Sequence, residues 1–204
     1  MTTILLATQN EGKLKELREL LADLPLDLFS LADFPNIEAV PETGESFTEN
    51  ATLKAVGYAL QTGLLTLADD SGLEVDALGG APGIFSARYA GEDATDADRT
   101  NRLIEELSNT PAGKRSASFV SAIAIASGKG HVLNVSLGVC EGRIDFMPSG
   151  SRGFGYDPVF IPNGYDKSFG ELESATKNQI SHRARALSDA REFLLTLTIP
   201  SCGD

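Results

Sequence analysis

Base is what this 204-residue chain has little of. Its 17 lysines and arginines face 29 acidic residues, a formal net charge of −12. A broad nucleic-acid surface needs a basic stripe, so the composition argues against nucleic acid as a partner. An anionic ligand must then be held by a local cluster of bases, with a metal ion as the natural supplement, and each placed lysine or arginine becomes informative. Cysteine is also scarce. Cys140 and Cys202 have neither CxxC nor CxxH spacing, so no zinc site and no disulfide framework is implied. No apolar run approaches the ~18 residues of a membrane span. Residues 1–7 lack the basic flank and long apolar core of a signal peptide. The expectation is a cytoplasmic protein with no membrane partner. The sequons at Asn50-Ala51-Thr52 and Asn134-Val135-Ser136 are then chance matches.

What is present suits a compact, loop-rich fold. Hydrophobic residues make up 42%, with 20 glycines and 9 prolines, and 204 residues are enough for a real core in one domain spanning the whole chain. The most unusual stretch is Ala68-Asp69-Asp70-Ser71-Gly72, where an apolar run (Leu64, Leu65, Leu67) ends in acid. Adjacent carboxylates raise each other's pKa, and a strand end that keeps them suits a divalent cation or proton transfer. These are also ordinary turn residues, with Gly72 suited to a positive φ, so a solvated turn followed by a new, half-exposed strand over Leu73–Leu78 is the other reading.

Ile4 to Ala7 reads as a buried strand. It feeds through Thr8-Gln9-Asn10-Glu11-Gly12-Lys13 into a helix with Leu14, Leu17, Leu20, Leu21 and Leu24 on one face. A strand entering a helix N-terminus is a usual phosphate cradle, although no Walker loop is present and an ordinary capped helix fits equally. Leu26 to Leu31 is a second strand. Ser46-Phe47-Thr48-Glu49 spells a capping box opening a helix to about Gln61, with Gly63 as its stop. Ala51, Ala55 and Ala59 form its packing stripe, and Lys54 within it would ordinarily be solvated. Arg88 is a further candidate base near the acidic stretch, and Thr95 or Asp96 caps a helix carrying Leu103, Ile104 and Leu107. Residues 117–144, split by Gly128-Lys129-Gly130, predict a long hairpin that could serve as a dimer surface.

Gly153-Phe154-Gly155-Tyr156-Asp157-Pro158 frames its aromatics with glycine, an arrangement that leaves a ring face open for stacking on a nucleobase. A final helix is expected over 175–197, with Ile180, Ala184, Leu187, Ala190 or Arg191, and Leu194 on one face and Pro200 beyond its end. Lys177, His182 and Arg183 would gather near its start, against the helix dipole, as ligand contacts do.

Together these pieces resemble the Ham1 family of inosine triphosphate pyrophosphatases, in family order along nearly the whole chain. The matching segments are Ala7-Thr8-Gln9-Asn10 with Lys13, Glu42-Thr43-Gly44 with Phe47, Glu49-Asn50-Ala51 and Lys54, and Ala68–Leu73. Leu78–Gly83, Gly153–Pro158, Lys177-Asn178 and Ser181-His182-Arg183 complete the set. Gln9 departs from the glycine of many relatives. The resemblance implies an α/β fold with a long mixed β-sheet flanked by helices, two lobes and a central nucleotide cleft. It implies a hydrolase that cleaves non-canonical purine nucleoside triphosphates (ITP, dITP, XTP) to monophosphate and pyrophosphate, by attack of water at the α-phosphorus, and that works as a homodimer. On that resemblance Mg2+ sits at Glu42 and Asp70, with Asp70 as general base, Asp69 positioning metal or water and Lys54 supporting catalysis. Substrate contacts fall to Thr8, Gln9, Asn10, Glu11, Gly12, Lys13, Ser71, Phe154, Gly155, Tyr156, Asp157, Lys177, His182 and Arg183. A Maf-like pyrophosphatase and a non-catalytic nucleotide sensor are the rival readings.

Overall fold

A computed structural model describes residues 2–198. Pro200 and Cys202, read above as a helix terminator and a tail thiol, lie outside the described residues. The elements run β1 (Thr2–Leu6), α1 (Glu11–Leu20), β2 (Leu26–Ser30), α2 (Phe47–Thr62), β3 (Leu65–Val75), α3 (Asp96–Glu106), β4 (Ser116–Ala126), β5 (Val132–Ile144), β6 (Phe160–Pro162), α4 (Ser174–Ile180) and α5 (His182–Thr198). One six-stranded sheet has the order β2-β1-β3-β4-β5-β6. It is mixed, as expected: β1 pairs in parallel with β2 and β3, whereas β5 and β6 are antiparallel. No helix among the described residues is long and apolar enough to cross a membrane.

The chain divides into two compact units, one of residues 1–70, 122–137 and 184–204, the other of residues 71–121 and 138–183. In the first, Leu14 and Leu17 from α1, Leu21 at its C-cap, and Ala186, Leu187, Ala190 and Leu194 from α5 join Ile4, Leu6, Leu67, Ile123 and Ile125 in one buried cluster. Apolar spacing of three and four along both helices makes this face. In the second, Leu103 from α3 and Leu107 at its C-cap share a cluster with Leu73, Val75, Phe119, Cys140, Ile144, Tyr156, Phe160 and Phe169. Buried Arg115 ties the C-terminal end of α3 to the end of β5, donating to the carbonyls of Leu107 (2.7 Å) and Ile144 (2.9 Å).

Three expectations change. Asp69-Asp70-Ser71-Gly72 is not a turn but the middle of one continuous strand, β3. Gly72 is absent from the positive-φ glycines, and beyond Val75 the chain enters a short 3-10 turn, Asp76–Leu78. Successive strand residues point to opposite faces, so the two carboxylates diverge instead of crowding. Second, the single C-terminal helix is two. α4 ends at Ile180, and Ser181 adopts an extended conformation (φ −67°, ψ 158°) before α5 begins at His182. Third, Lys177 therefore lies in the last turn of α4, where the dipole favours a cation, and only His182 and Arg183 open a helix. Arg88 is exposed, its guanidinium 5.1 Å from the Phe85 ring centroid.

Candidate active site

The acidic residues of the first unit are gripped by lysines from two helices. Asn10 caps α1, its side chain accepting from Lys13 N (2.9 Å), and Thr8 Oγ1 accepts from Asn10 N (3.2 Å). Lys13 thereby stands in the first turn, where the leading backbone N–H groups of a helix lack partners within it. Its Nζ lies 2.8 Å from Asp69 Oδ1. Gln9 and Glu11 are exposed, and Gly12 is half-buried.

α2 supplies the other lysine. Ser46 caps it by accepting from Glu49 N (3.2 Å), and Gly63 (φ +70°) closes it in the left-handed conformation that glycine adopts without cost. The reciprocal arm of the expected capping box lands one residue early, with Glu49 Oε2 accepting from Glu45 N (2.6 Å). Lys54 is 8% exposed rather than solvated, and its Nζ lies 2.9 Å from both Glu42 Oε1 and Asp70 Oδ1. Burial works against its charge, but the carboxylates of Asp70 and Glu42 outweigh it and hold its pKa above the ordinary lysine value. Burial pushes the Asp70 carboxyl up, and Lys54 and Lys13 pull it back only in part.

Asp70 is 6% exposed, and its second oxygen, Oδ2, is buried without a hydrogen-bond partner. Such an oxygen is costly to bury and suits an additional cation. No group of three or more His, Cys, Asp or Glu side chains able to hold a metal occurs among the described residues. Two carboxylates are nonetheless the usual protein share of a magnesium site that keeps several waters and leans on substrate phosphates. The donors fit that ion.

Residues that the motif reading left without a role hold Glu42 in place. Asn50, in the first turns of α2, accepts from Gly44 N (2.8 Å), Tyr58 Oη from Val40 N (3.3 Å), and the Gln61 amide brackets Glu38 by accepting from its N–H (2.8 Å) and donating to its carbonyl (3.0 Å). One face of α2 thus pins the segment on both sides of Glu42. The clue was the spacing of polar residues along α2, which local pattern alone assigns to solvent.

The second unit gathers the other candidates. Lys177 Nζ forms a buried ion pair with Asp157 Oδ2, and that oxygen also accepts from Phe154 N (2.8 Å). The Phe154 ring, half-buried, has Lys177 Nζ 5.0 Å and Arg183 Cζ 5.7 Å from its centroid. Arg183 Nη2 donates to Ser71 Oγ (2.8 Å). His182 is buried with its ring flat on Phe119, centroids 4.7 Å apart at 11°. Gly153 has φ +75°, and a Cβ there would come within 1.9 Å of Asp157 Oδ2, so only glycine lets the loop close over that carboxylate. Tyr156 is a buried anchor whose hydroxyl donates to Ser86 O (3.0 Å), and burial pushes its pKa well up. Ser71, Phe154, Asp157, Lys177 and Arg183 are therefore joined by direct contacts, while buried His182 packs on Phe119 and buried Tyr156 is tied to Ser86.

Comparison with known proteins converges on one family. A "dITP/XTP pyrophosphatase" of Oceanobacillus iheyensis is 44% identical over 198 residues, covering 97% of this chain and 100% of that protein. One from Bacillus cereus is 47% identical over 193 residues, 94% of each chain. A solved HAM1 protein from Coxiella burnetii superposes with a TM-score of 0.86 at 44% identity, covering 96% of this chain and 100% of the other. The Staphylococcus aureus Ham1 protein gives 0.84 at 36% identity over 97% and 100%. With the sequence model of the Ham1 family matching residues 4–193, this chain belongs to the Ham1 family.

Proposed function

We propose that this protein is a Mg2+-dependent nucleoside-triphosphate pyrophosphatase that hydrolyses purine nucleotides with a 6-keto base (ITP, dITP and XTP) to monophosphate and pyrophosphate. Near-full-length relatives named for dITP and XTP support the substrate class. The observation that carries the chemistry is buried Lys54 held between exposed Glu42 and buried Asp70, with one carboxylate oxygen of Asp70 left over. Mg2+ held by Glu42 and Asp70 would neutralise charge on the triphosphate and on the leaving pyrophosphate. Asp70 takes a proton from the attacking water. Attack at the α-phosphorus sheds pyrophosphate towards Lys13, Lys54 and the leading N–H groups of α1. Asp69, paired with Lys13, keeps that lysine oriented.

Phe154 stacks on the purine, and Arg183, whose guanidinium carbon lies 5.7 Å from that ring's centroid, supplies hydrogen-bond donors suited to the 6-keto oxygen, while the His182 ring packs on Phe119. Adenine presents a 6-amino donor instead, and each buried donor left unmatched costs about 1–3 kcal/mol, or roughly 5- to 150-fold against ATP. On β5 the exposed Leu133, Val135 and Leu137 alternate with inward residues, an apolar strip fit for a second copy in a homodimer. The test is turnover of ITP, XTP, dGTP and ATP with and without Mg2+. ITP and XTP should be preferred, with pyrophosphate as first product. Equal turnover of all four, or orthophosphate first, would sink the assignment.

A further inference from the structure

The glycine-framed loop is gripped by a residue that neither stacking nor proton transfer needs. Asp96, the first residue of α3, sends Oδ2 to the N–H of Gly155, 2.6 Å away and 59 residues on. Its other oxygen pairs with Arg99, whose Nη1 in turn donates to the carbonyls of Ala87 (2.9 Å) and Ala94. Thr100 Oγ1, one turn along α3, lies 3.4 Å from Gly155 O, so both sides of the Gly155 residue meet this helix. Helix capping does not explain the contact. Thr95 and Asp98 already form a reciprocal capping box, with Thr95 Oγ1 accepting from Asp98 N and Asp98 Oδ2 accepting from Thr95 N. Gly155, at φ +60°, separates Phe154, whose ring is the stacking surface, from Tyr156, whose hydroxyl is anchored at Ser86. The N–H of Phe154 is fixed by Asp157 and the N–H of Gly155 by Asp96. Two carboxylates on consecutive amides set the direction in which the ring leaves the backbone.

We propose that Asp96 is a positioning residue for the purine pocket, orienting Phe154 through the Gly155 amide, with Arg99 holding the Asp96 carboxylate in register. The inference rests on the base-pocket reading above, and Asp96 itself touches no substrate. Its signature is a split between the two ends of the nucleotide. Asp96→Ala should weaken binding of inosine monophosphate, measured by calorimetry, roughly tenfold and raise KM for ITP to match, as expected for losing a hydrogen bond to a charged group. kcat and the affinity for inorganic pyrophosphate should stay within about twofold. Asp96→Asn retains an acceptor oxygen and should recover most of the loss. Thr95→Ala removes the cap but not the Gly155 contact, so it should lower Tm while leaving inosine monophosphate binding within about twofold. Unchanged binding in Asp96→Ala overturns the proposal, as does a Thr95→Ala variant that loses as much affinity as Asp96→Ala. A wild-type protein that binds no inosine monophosphate overturns the base-pocket reading itself, and the proposal with it.

Discussion

Each unit carries a cluster of candidate residues, and the two clusters are built alike but charged oppositely. In the first unit, Lys13 and Lys54 face Asp69, Asp70 and Glu42, so the named groups carry one more negative than positive charge when all are ionised. In the second, Lys177 pairs with Asp157 and Arg183 lies over the Phe154 ring, so the balance of the named groups is reversed. Each half also uses side chains of a nearby helix to fix loop backbone, Asn50 for Gly44 and Asp96 for Gly155. The difference teaches which kind of group each cluster suits. The first keeps a buried, unpartnered carboxylate oxygen on Asp70 and suits a cation, whereas the second sets cations beside the Phe154 ring.

Breaking the first half should have the largest effect. Asp70→Asn keeps the shape but removes the base, so kcat should fall roughly 10²- to 10⁴-fold while ITP still binds, checked by steady-state kinetics beside calorimetry. The same residue sharpens the comparison through pH. The base must be ionised, and a carboxyl raised above 3.8 keeps its proton to higher pH than an ordinary aspartate. In EDTA, without metal, Asp70 should therefore take up its proton above the ordinary aspartate range, followed by NMR titration of its carboxyl while circular dichroism still reports a folded protein.

Next in size is Lys54→Met, which strands Glu42 and Asp70 together without their ammonium. Removing one partner of a buried ion network costs up to about 3–5 kcal/mol. Tm should drop in EDTA and recover partly with Mg2+, and a Tm indifferent to Mg2+ would separate these carboxylates from the metal.

In the second half, Phe154→Ala should raise KM for ITP roughly 5- to 150-fold, the worth of one base stack, with kcat nearly unchanged. A kcat loss comparable to that of Asp70→Asn would erase the distinction between the halves. The smallest effect is expected at Gln9, whose side chain is exposed. Gln9→Gly should leave ITP kinetics within about twofold and stability within ~0.5 kcal/mol.

Elements whose cause is local were legible in the chain. Asn10 before α1, Ser46 before α2 and Gly63 after it act on backbone within four residues, and all three occupy the expected roles. The glycines around Phe154 likewise announced an unusual loop. β3 was misread because Asp-Asp-Ser-Gly has the composition of a turn. What keeps it extended is neighbouring strands together with lysines brought from α1 and α2. The break at Ser181 was hidden for the same kind of reason, since nothing in Ile180-Ser181-His182 is a strong helix breaker. The strand Phe160–Pro162 was too short to show a period.

By itself the sequence determined the caps, the apolar faces of the helices, and the order of motifs that marks the family, because each depends on neighbours within a turn or two. Only the tertiary structure decided that Lys54 is buried between two carboxylates, that Asp70 keeps an unclaimed oxygen, and that Asp96 reaches across to Gly155. Those outcomes turn on desolvation and on partners distant along the chain, and neither has a signature in local residue pattern.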